Sequence, residues 1–368
     1  MQLRVRDLRL PALPDADAVW GATGVDARGR IWVGVSGKRF GSSGHLLRYE
    51  PDADRWTVAG RVLDALARAG LAAPGQGQVK LHSRIVAASD GWLYFTSMDE
   101  EGEHEDGTAL PRWGSHLWRV HPETGIWEHR LASADALIAV GAGGGSVFAL
   151  GYWNHVLYHH DVVTGLTRRV VVGSSGGHVS RNLVVTANGR AFVPRVTEGG
   201  ARAELVEFDV HLQERSAAAL PGYAMPGDPG ANHGITGLAL GPGHQAWFTT
   251  HTGKLFAVDA SSGGTARIIP LGDFHPAEGG YAPSLFLLDD GHTLAGVVQQ
   301  GRRFDWVERN VVDGGADSQP FDTPGLTERL LYGSITRDHD GRFYLVGRVD
   351  AAAGGHRPVV LQVLRTKD

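Results

Sequence analysis

One short phrase recurs seven times along this chain of 368 residues, and it constrains the fold more than any other feature. Each copy is a turn of small residues that ends in glycine, followed by a run of aromatic and β-branched residues. The phrase recurs every 44–62 residues, and internal similarity of this kind is typical of repeat architectures. The glycines of the seven turns are Gly29, Gly91, Gly145, Gly189, Gly243, Gly291 and Gly341.

Each copy predicts a four-stranded antiparallel unit. An apolar run also precedes each turn, so the two runs form a hairpin whose Asp-Gly or Asn-Gly supplies the positive φ of a tight turn. Two further strands follow, as in Leu117–Val120 and Trp127–Glu128. Seven such units predict an all-β fold, a seven-bladed β-propeller, because radial repetition protects sheet edges that would otherwise be exposed.

The two ends of the chain are predicted to close the ring. The last unit lacks its outer strand, and residues 3–10 alternate with period two and belong to no other unit. We therefore expect this N-terminal strand to join the last blade. The prediction is a single domain over residues 1–368 with blades at approximately 20–62, 81–131, 135–173, 178–220, 233–272, 281–323, and 331–368 plus 3–10.

Two stretches lie outside the repeat. A short helix is predicted from Leu63 to Leu71, and a polar insertion runs from Met98 to Trp113 inside blade two. Propeller loops at one face commonly carry binding residues, so the insertion marks a candidate site.

Composition and charge restrict the cellular compartment and the classes of partner that we expect. The chain has no cysteine, which suits a reducing compartment, and its formal net charge of -5 gives no basic field for nucleic acid or anionic lipid. The N-terminus has no apolar core of a signal peptide. We expect a cytoplasmic protein, or one exported with its leader removed, that acts on a small molecule or glycan. No feature specifies an oligomeric state.

Polar and aromatic residues are predicted to converge at the start of the inner strands, where propellers commonly bind ligands. The residues nine positions before each turn glycine include Trp20, His82 and Tyr332, and further polar residues lie within two positions of this column. The expected substrate-binding residues from this column are Trp20, His178, Arg181, His233 and Tyr332.

Histidines form a second column at the start of the third strands, in His45, His116 and His155. The alternative for each is a structural histidine bonded to a backbone carbonyl. His82 and His116 begin two strands of one blade and flank the insertion, so we expect them to act as proton acceptor and donor. His155 is expected to contact substrate.

Two arginines are candidates for binding a substrate carboxylate. Arg181 begins blade four and Arg195 ends its second strand, and a planar guanidinium grips a carboxylate through paired hydrogen bonds. The alternative is a surface salt bridge.

No cofactor motif occurs in a plausible setting, so we expect neither a cofactor nor a metal. The acidic run from Asp99 to Asp106 has enough carboxylates to suggest structural calcium, but its spacing fits no EF-hand loop. A metal bound by histidines such as His82, His178 and His233 is the other alternative.

The phrases His82-Ser83-Arg84-Ile85 and Gly114-Ser115-His116-Leu117-Trp118 resemble the histidine-bearing blade of seven-bladed polysaccharide lyases such as the ulvan lyases. Blade five, with Trp247-Phe248-Thr249, is similar to the repeats of virginiamycin B lyase. The first resemblance implies β-elimination at a uronate. His82 and His116 would act as base and acid, Arg181 or Arg195 would neutralise the carboxylate, and Tyr152 or Tyr281 would act as acid.

The resemblance therefore implies a carbon-oxygen lyase acting on a uronate-containing saccharide. The alternatives are a non-catalytic propeller that binds a glycan or protein at the same mouth and a metal-dependent propeller enzyme. Elimination beside a carboxylate requires neutralisation of its charge and a weak base near the α-proton, which arginine and histidine supply.

Overall fold

The computed structural model describes residues 2–104, 107–174, 180–197, 202–223, 234–261, 263–323, 326, 329–351 and 354–366. Its strands form seven antiparallel sheets, and the fold is the predicted all-β, seven-bladed β-propeller with four-stranded blades. The chain divides into two compact units. The first holds residues 1–104, 108–140 and 323–368, and the second holds residues 105–107 and 141–322. The single domain over residues 1–368 stays a prediction.

The N-terminal strand is followed by blades one and two, which are joined by the helix α1. This helix spans Val62–Arg68, so it begins one residue earlier and ends three residues earlier than predicted. The first eleven strands are β1 (Gln2–Asp7), β2 (Ala16–Ala18), β3 (Thr23–Val25), β4 (Ile31–Gly37), β5 (His45–Glu50), β6 (Arg55–Arg61), β7 (Lys80–Leu81), β8 (Val86–Ala87), β9 (Leu93–Met98), β10 (Ser115–Val120) and β11 (Trp127–Ser133).

The inner strands of blades one and two are each interrupted. β2 and β3 both pair with β4, and β7 and β8 both pair with β9. Trp20 lies in the first break and His82 in the second. Gly21 follows Trp20 with φ +109°, and a Cβ there would lie 2.6 Å from the carbonyl oxygen of Gly333. Only glycine fits this close backbone approach.

Blades three to six follow the same four-strand order. Their strands are β12 (Leu137–Gly143), β13 (Ser146–Gly151), β14 (Val156–Asp161), β15 (Thr167–Val171), β16 (Val184–Val185), β17 (Ala191–Thr197), β18 (Arg202–Phe208), β19 (Glu214–Ala219), β20 (Ile235–Leu240), β21 (Gln245–Thr250), β22 (Lys254–Asp259), β23 (Arg267–Asp273), β24 (Phe286–Leu287), β25 (Thr293–Gln300), β26 (Arg303–Asn310) and β27 (Ala316–Pro320).

Blade seven confirms the predicted closure. Its strands β28 (Arg329–Arg337), β29 (Phe343–Asp350) and β30 (His356–Thr366) are joined by β1 in the order β1-β30-β29-β28. The antiparallel register between β1 and β30 runs without interruption from Gln2 opposite Thr366 to Asp7 opposite Leu361. The N-terminal strand thereby covers the edge that β30 would expose.

Each unit has its own apolar interior between the faces of its sheets. In the first unit, α1 contributes Leu66 to a cluster that includes Trp32, Leu81 and Trp118. A second cluster there is built from Leu8, Ile31, Val33, Tyr344 and Val360. The second unit buries Trp247, Leu255, Phe274, Leu285 and Val307.

Candidate functional site

The breaks in the inner strands of the first unit place an aromatic and cationic group around one indole. The rings of Trp20 and Tyr332 lie 4.4 Å apart between centroids, and the imidazole of His82 stacks on Trp20 at 6.1 Å with an interplanar angle of 14°. The Nζ of Lys80 lies 4.7 Å and the guanidinium carbon of Arg348 5.3 Å from the Trp20 ring. These five residues are called the Trp20 cluster below.

Carboxylates balance both cations of the Trp20 cluster. Lys80 forms an ion pair with Glu100, and Arg348 approaches Asp17 at 3.6 Å. The four charged side chains are 13–25% exposed, so these pairs are only partly screened by water. The cations are held over the indole by cation–π contacts and by the carboxylates behind them.

The Trp20 cluster combines three kinds of contact that a saccharide uses. The half-buried faces of Trp20 and Tyr332 are amphipathic platforms, and Lys80 and Arg348 present N–H donors beside them. His82 adds a titratable ring that is 8% exposed. Such a group can stack a sugar ring, bind an anionic substituent and exchange a proton.

A second group of predicted site residues meets within the second unit. The Tyr281 hydroxyl and the Arg181 guanidinium are hydrogen-bonded, and the ring of His251 lies 5.0 Å from that of Tyr281. Burial raises the pKa of the Tyr281 hydroxyl, and the nearby Arg181 cation opposes part of that rise. The backbone of Tyr281 is fixed by two hydrogen bonds with Gln299. The structure therefore brings together an arginine and a tyrosine from the predicted site.

His116 has a structural partner, the imidazole of His129. The Nδ1 of His116 and the Nε2 of His129 are 3.0 Å apart, and both rings pack against Trp118. The Nε2 of His116 is buried without a hydrogen-bond partner among the described residues. Burial, together with the smaller effect of the neighbouring His129, lowers the pKa of His116 to about 4. The histidine is therefore neutral at ordinary pH.

His82 and His116 lie on opposite faces of blade two. Leu81 and His116 are both directly opposite Ser97 across the sheet, so their side chains share one face. Lys80 and His82 flank Leu81 in sequence, and both contact the indole of the cluster on the other face. This geometry does not support the predicted joint acid–base role of the two histidines. The cause is the strand register, which sets the direction of each side chain.

Arg195 is occupied by two carboxylates of the chain itself. It donates to Glu204 at 3.0 Å and to Glu214 at 2.9 Å. The structure thus favours the alternative reading, a partly buried salt bridge, over a grip on a substrate carboxylate.

Two of the remaining predicted site residues, Tyr152 and His155, lie in blade three. Tyr152 packs against Trp153 at 4.5 Å between ring centroids. His155 is 4% exposed and has a φ of +51°, and its carbonyl oxygen accepts from the backbone N–H of Val172. Its backbone thus helps to fix the start of the third strand. His178 and His233 lie outside the described residues.

Two carboxylates of the acidic insertion in blade two form ion pairs with cations of the protein. Glu100 pairs with Lys80, and Glu101 pairs with Arg112 at 2.9 Å. Burial raises the pKa of Asp99, which accepts a hydrogen bond from the backbone of Trp113. Within the described part of the chain, no group of three or more histidine, aspartate or glutamate side chains is placed to hold a metal ion.

Lys80, Arg348 and His251 were missed by the sequence analysis. Lys80 has a usable signal, because it stands two residues before His82 and a strand places such residues on the same side. Arg348 lies in β29 and His251 in the turn after β21, and only the packing brings them to Trp20 and Tyr281. Among the described helices, none is long and apolar enough to cross a bilayer.

Comparisons with known proteins support the fold. No protein-family model matches the chain, and no curated protein is significantly similar to it. Among solved structures, the chain is similar to the β-propeller domain of Cps50 (Swd1) from Myceliophteria thermophila, with a TM-score of 0.59, 11% identity, and coverage of 99% of this chain and 100% of that one.

Two structures named as lactonases are also similar. The periplasmic gluconolactonase PpgL of Pseudomonas aeruginosa has a TM-score of 0.53 at 14% identity and covers 96% of this chain and 99% of its own. A putative 6-phosphogluconolactonase from Bacteroides uniformis has a TM-score of 0.50 at 14% identity, with 95% and 100% covered. At such identity the likeness shows a seven-bladed propeller and carries no activity with it.

Proposed function

We propose that the protein binds an acidic saccharide at the Trp20 cluster. The observation that carries this proposal is the indole of Trp20, which contacts Tyr332 at 4.4 Å and has Lys80 and Arg348 at 4.7 and 5.3 Å from its ring. An aromatic platform offers stacking area at low entropic cost. Arg348 reaches Asp17 only at 3.6 Å, beyond hydrogen-bond distance, so its N–H groups stay available for charge-assisted hydrogen bonds to a carboxylate, and Lys80 adds a positive charge beside the same indole.

The charge of the whole molecule favours a small ligand over a polyanion such as nucleic acid. The formal net charge is -5, and both cations of the Trp20 cluster are locally balanced by Glu100 and Asp17. A nucleic acid needs a basic surface over many phosphates. A single carboxylate on a sugar requires only the local donors that the cluster presents.

A titration with matched variants tests the saccharide proposal. Trp20→Ala removes the platform, and we expect it to weaken binding of glucuronate-containing oligosaccharides by about tenfold or more. Calorimetry measures the affinity. Trp56→Ala is the control, because Trp56 belongs to the same unit and packs on Tyr49 at 4.8 Å instead. Equal affinities for the two variants, or equal affinity for neutral and acidic sugars, would count against the proposal.

A second candidate function is β-elimination at the bound uronate, favoured by the stacking of His82 on Trp20 beside Tyr332. The imidazole of His82 would accept the C5 proton, and that C–H electron pair would form the C4–C5 double bond as the C4–O bond breaks. Tyr332 would protonate the leaving oxygen, and Lys80 or Arg348 would neutralise the carboxylate. Tyr332 takes this role because it lies in the same cluster as His82.

The elimination candidate is tested by the ultraviolet absorbance of the unsaturated uronate. With wild-type protein and a panel of uronate-containing glycans, we expect the absorbance to grow with time, and His82→Ala should reduce its rate by about 100-fold or more. His339→Ala, at an exposed histidine, is the matched control. Flat traces over the panel would remove the elimination step and leave saccharide binding standing.

A further inference from the structure

Arg84 is a buried cation that has no carboxylate partner among the described residues. The residue is 6% exposed and stands two positions after His82, between β7 and β8. Its Nη2 donates to the carbonyl oxygen of Val140 at 3.3 Å. Its Nε is buried and has no acceptor, and no ion pair reaches the guanidinium, among the residues that the structure describes. A single hydrogen bond to a described residue thus serves a guanidinium that carries five N–H groups.

Three half-buried arginines of this protein are paired with carboxylates. Arg30 is held by Asp26 at 2.7 Å, Arg119 by Glu128 at 2.7 Å, and Arg190 by Glu207. Arg84 is more buried than these three and has no such carboxylate among the described residues. A buried charge without a counter-charge is strongly unfavourable, so a ligand that supplies one would gain binding energy. Burial lowers the pKa of Arg84 to about 10, which keeps it a cation at neutral pH.

We propose that Arg84 is the binding site of a small carboxylate inside the first unit. The planar fork of a guanidinium matches the two oxygens of a carboxylate. This inference goes beyond saccharide binding, because the site needs only an anionic group and uses a residue outside the Trp20 cluster. The Cα atoms of Arg84 and His82 are at most about 7 Å apart along the chain. A free carboxylate and the carboxylate of a bound sugar acid are thus two sources of the same ligand.

Thermal unfolding in formate tests the site directly. With ionic strength held constant by a bulky anion, we expect the melting temperature of wild-type protein to rise with formate concentration by about 2 °C or more. Arg84→Gln should abolish this rise. Arg119→Gln should retain it, because that guanidinium is already bound by Glu128 and Asp90. A rise of the same size in Arg84→Gln, or none in wild type, would overturn the proposal.

If Arg84→Gln does not fold, a crystal soak of the wild-type protein still tests the Arg84 site. Crystals of the wild type soaked in formate should show a planar three-atom density on the Arg84 guanidinium. Density for water alone at that position would contradict the site.

The two sources of carboxylate are separated by repeating the saccharide titration in Arg84→Gln. If the sugar's own carboxylate occupies the site, affinity for glucuronate-containing oligosaccharides falls about tenfold or more. If a free carboxylate occupies it, that affinity is unchanged and only the formate response disappears. Either result supports the Arg84 site and identifies which of the two carboxylates it binds. Failure of saccharide binding in the wild type would leave the formate response intact, so the two proposals fail separately.

Discussion

The direction of a single side chain decides which histidines can act together. His116 turns toward His129 and Trp118, while His82 stacks on Trp20. The two histidines begin the inner and the third strand of one blade, so the sequence alone makes them partners. The difference comes from the pairing of Leu81 and His116 with Ser97, a register that no residue type along the chain specifies. The residue types of the site can be predicted from the sequence, but the face of the sheet on which each side chain lies cannot.

From the buried His116–His129 pair we expect the free energy of unfolding to decrease at acidic pH. The folded pKa of His116 is about 4, below the unfolded value of about 6.5, so the unfolded state binds more protons between these two values. Stability is therefore full above about pH 6.5 and is lost progressively as the pH falls toward 4, by up to about 3 kcal/mol. Denaturant unfolding across this pH range measures it.

His116→Asn keeps a polar atom near the position of Nδ1 but removes the titrating ring. We expect this variant to lose less stability between pH 6.5 and 4 than the wild type does. His339→Asn, at an exposed position, is the control and should follow the wild-type curve. An unchanged slope in His116→Asn would show that other groups carry the acid sensitivity.

At the scale of elements, interrupted inner strands create the candidate site. The hairpins, their glycine turns and the closing strand follow from local patterns, so the sequence predicts them. The breaks around Trp20 and His82 do not follow, because the first depends on the approach of Gly21 to the Gly333 carbonyl across more than three hundred residues. Blade six shows the reverse case. Its charged third strand matches the repeat poorly, yet β26 pairs with β25 from Arg303 to Asn310.

The closing strand gives a test at the same scale. The N–H of Leu8 donates to the carbonyl oxygen of Val360, so the alternation of an antiparallel pair directs the N–H of Arg4 toward β30 and that of Val5 toward the open edge. Arg4→Pro should therefore lower the free energy of unfolding by about 1–3 kcal/mol. Val5→Pro should lower the free energy of unfolding by less, although it removes the larger apolar side chain contact. Equal losses in denaturant unfolding would contradict this register.

At the scale of the whole molecule, seven four-stranded blades form the frame that carries the candidate site. The repeat predicts this frame, and solved propellers that bear different names share it at 11–14% identity. Function must then be argued from the side chains that the frame gathers. In this chain those are the Trp20 cluster in the first unit and the Arg181–Tyr281 pair in the second.

A crystal structure of the protein soaked with a glucuronate-containing oligosaccharide tests saccharide binding at the Trp20 cluster most sharply. We expect a sugar ring stacked on the indole of Trp20, with its carboxylate within hydrogen-bond distance of Lys80, Arg348 or Arg84. Ordered saccharide bound away from the indole, with the Trp20 cluster unchanged, would show that the cluster is not the binding site.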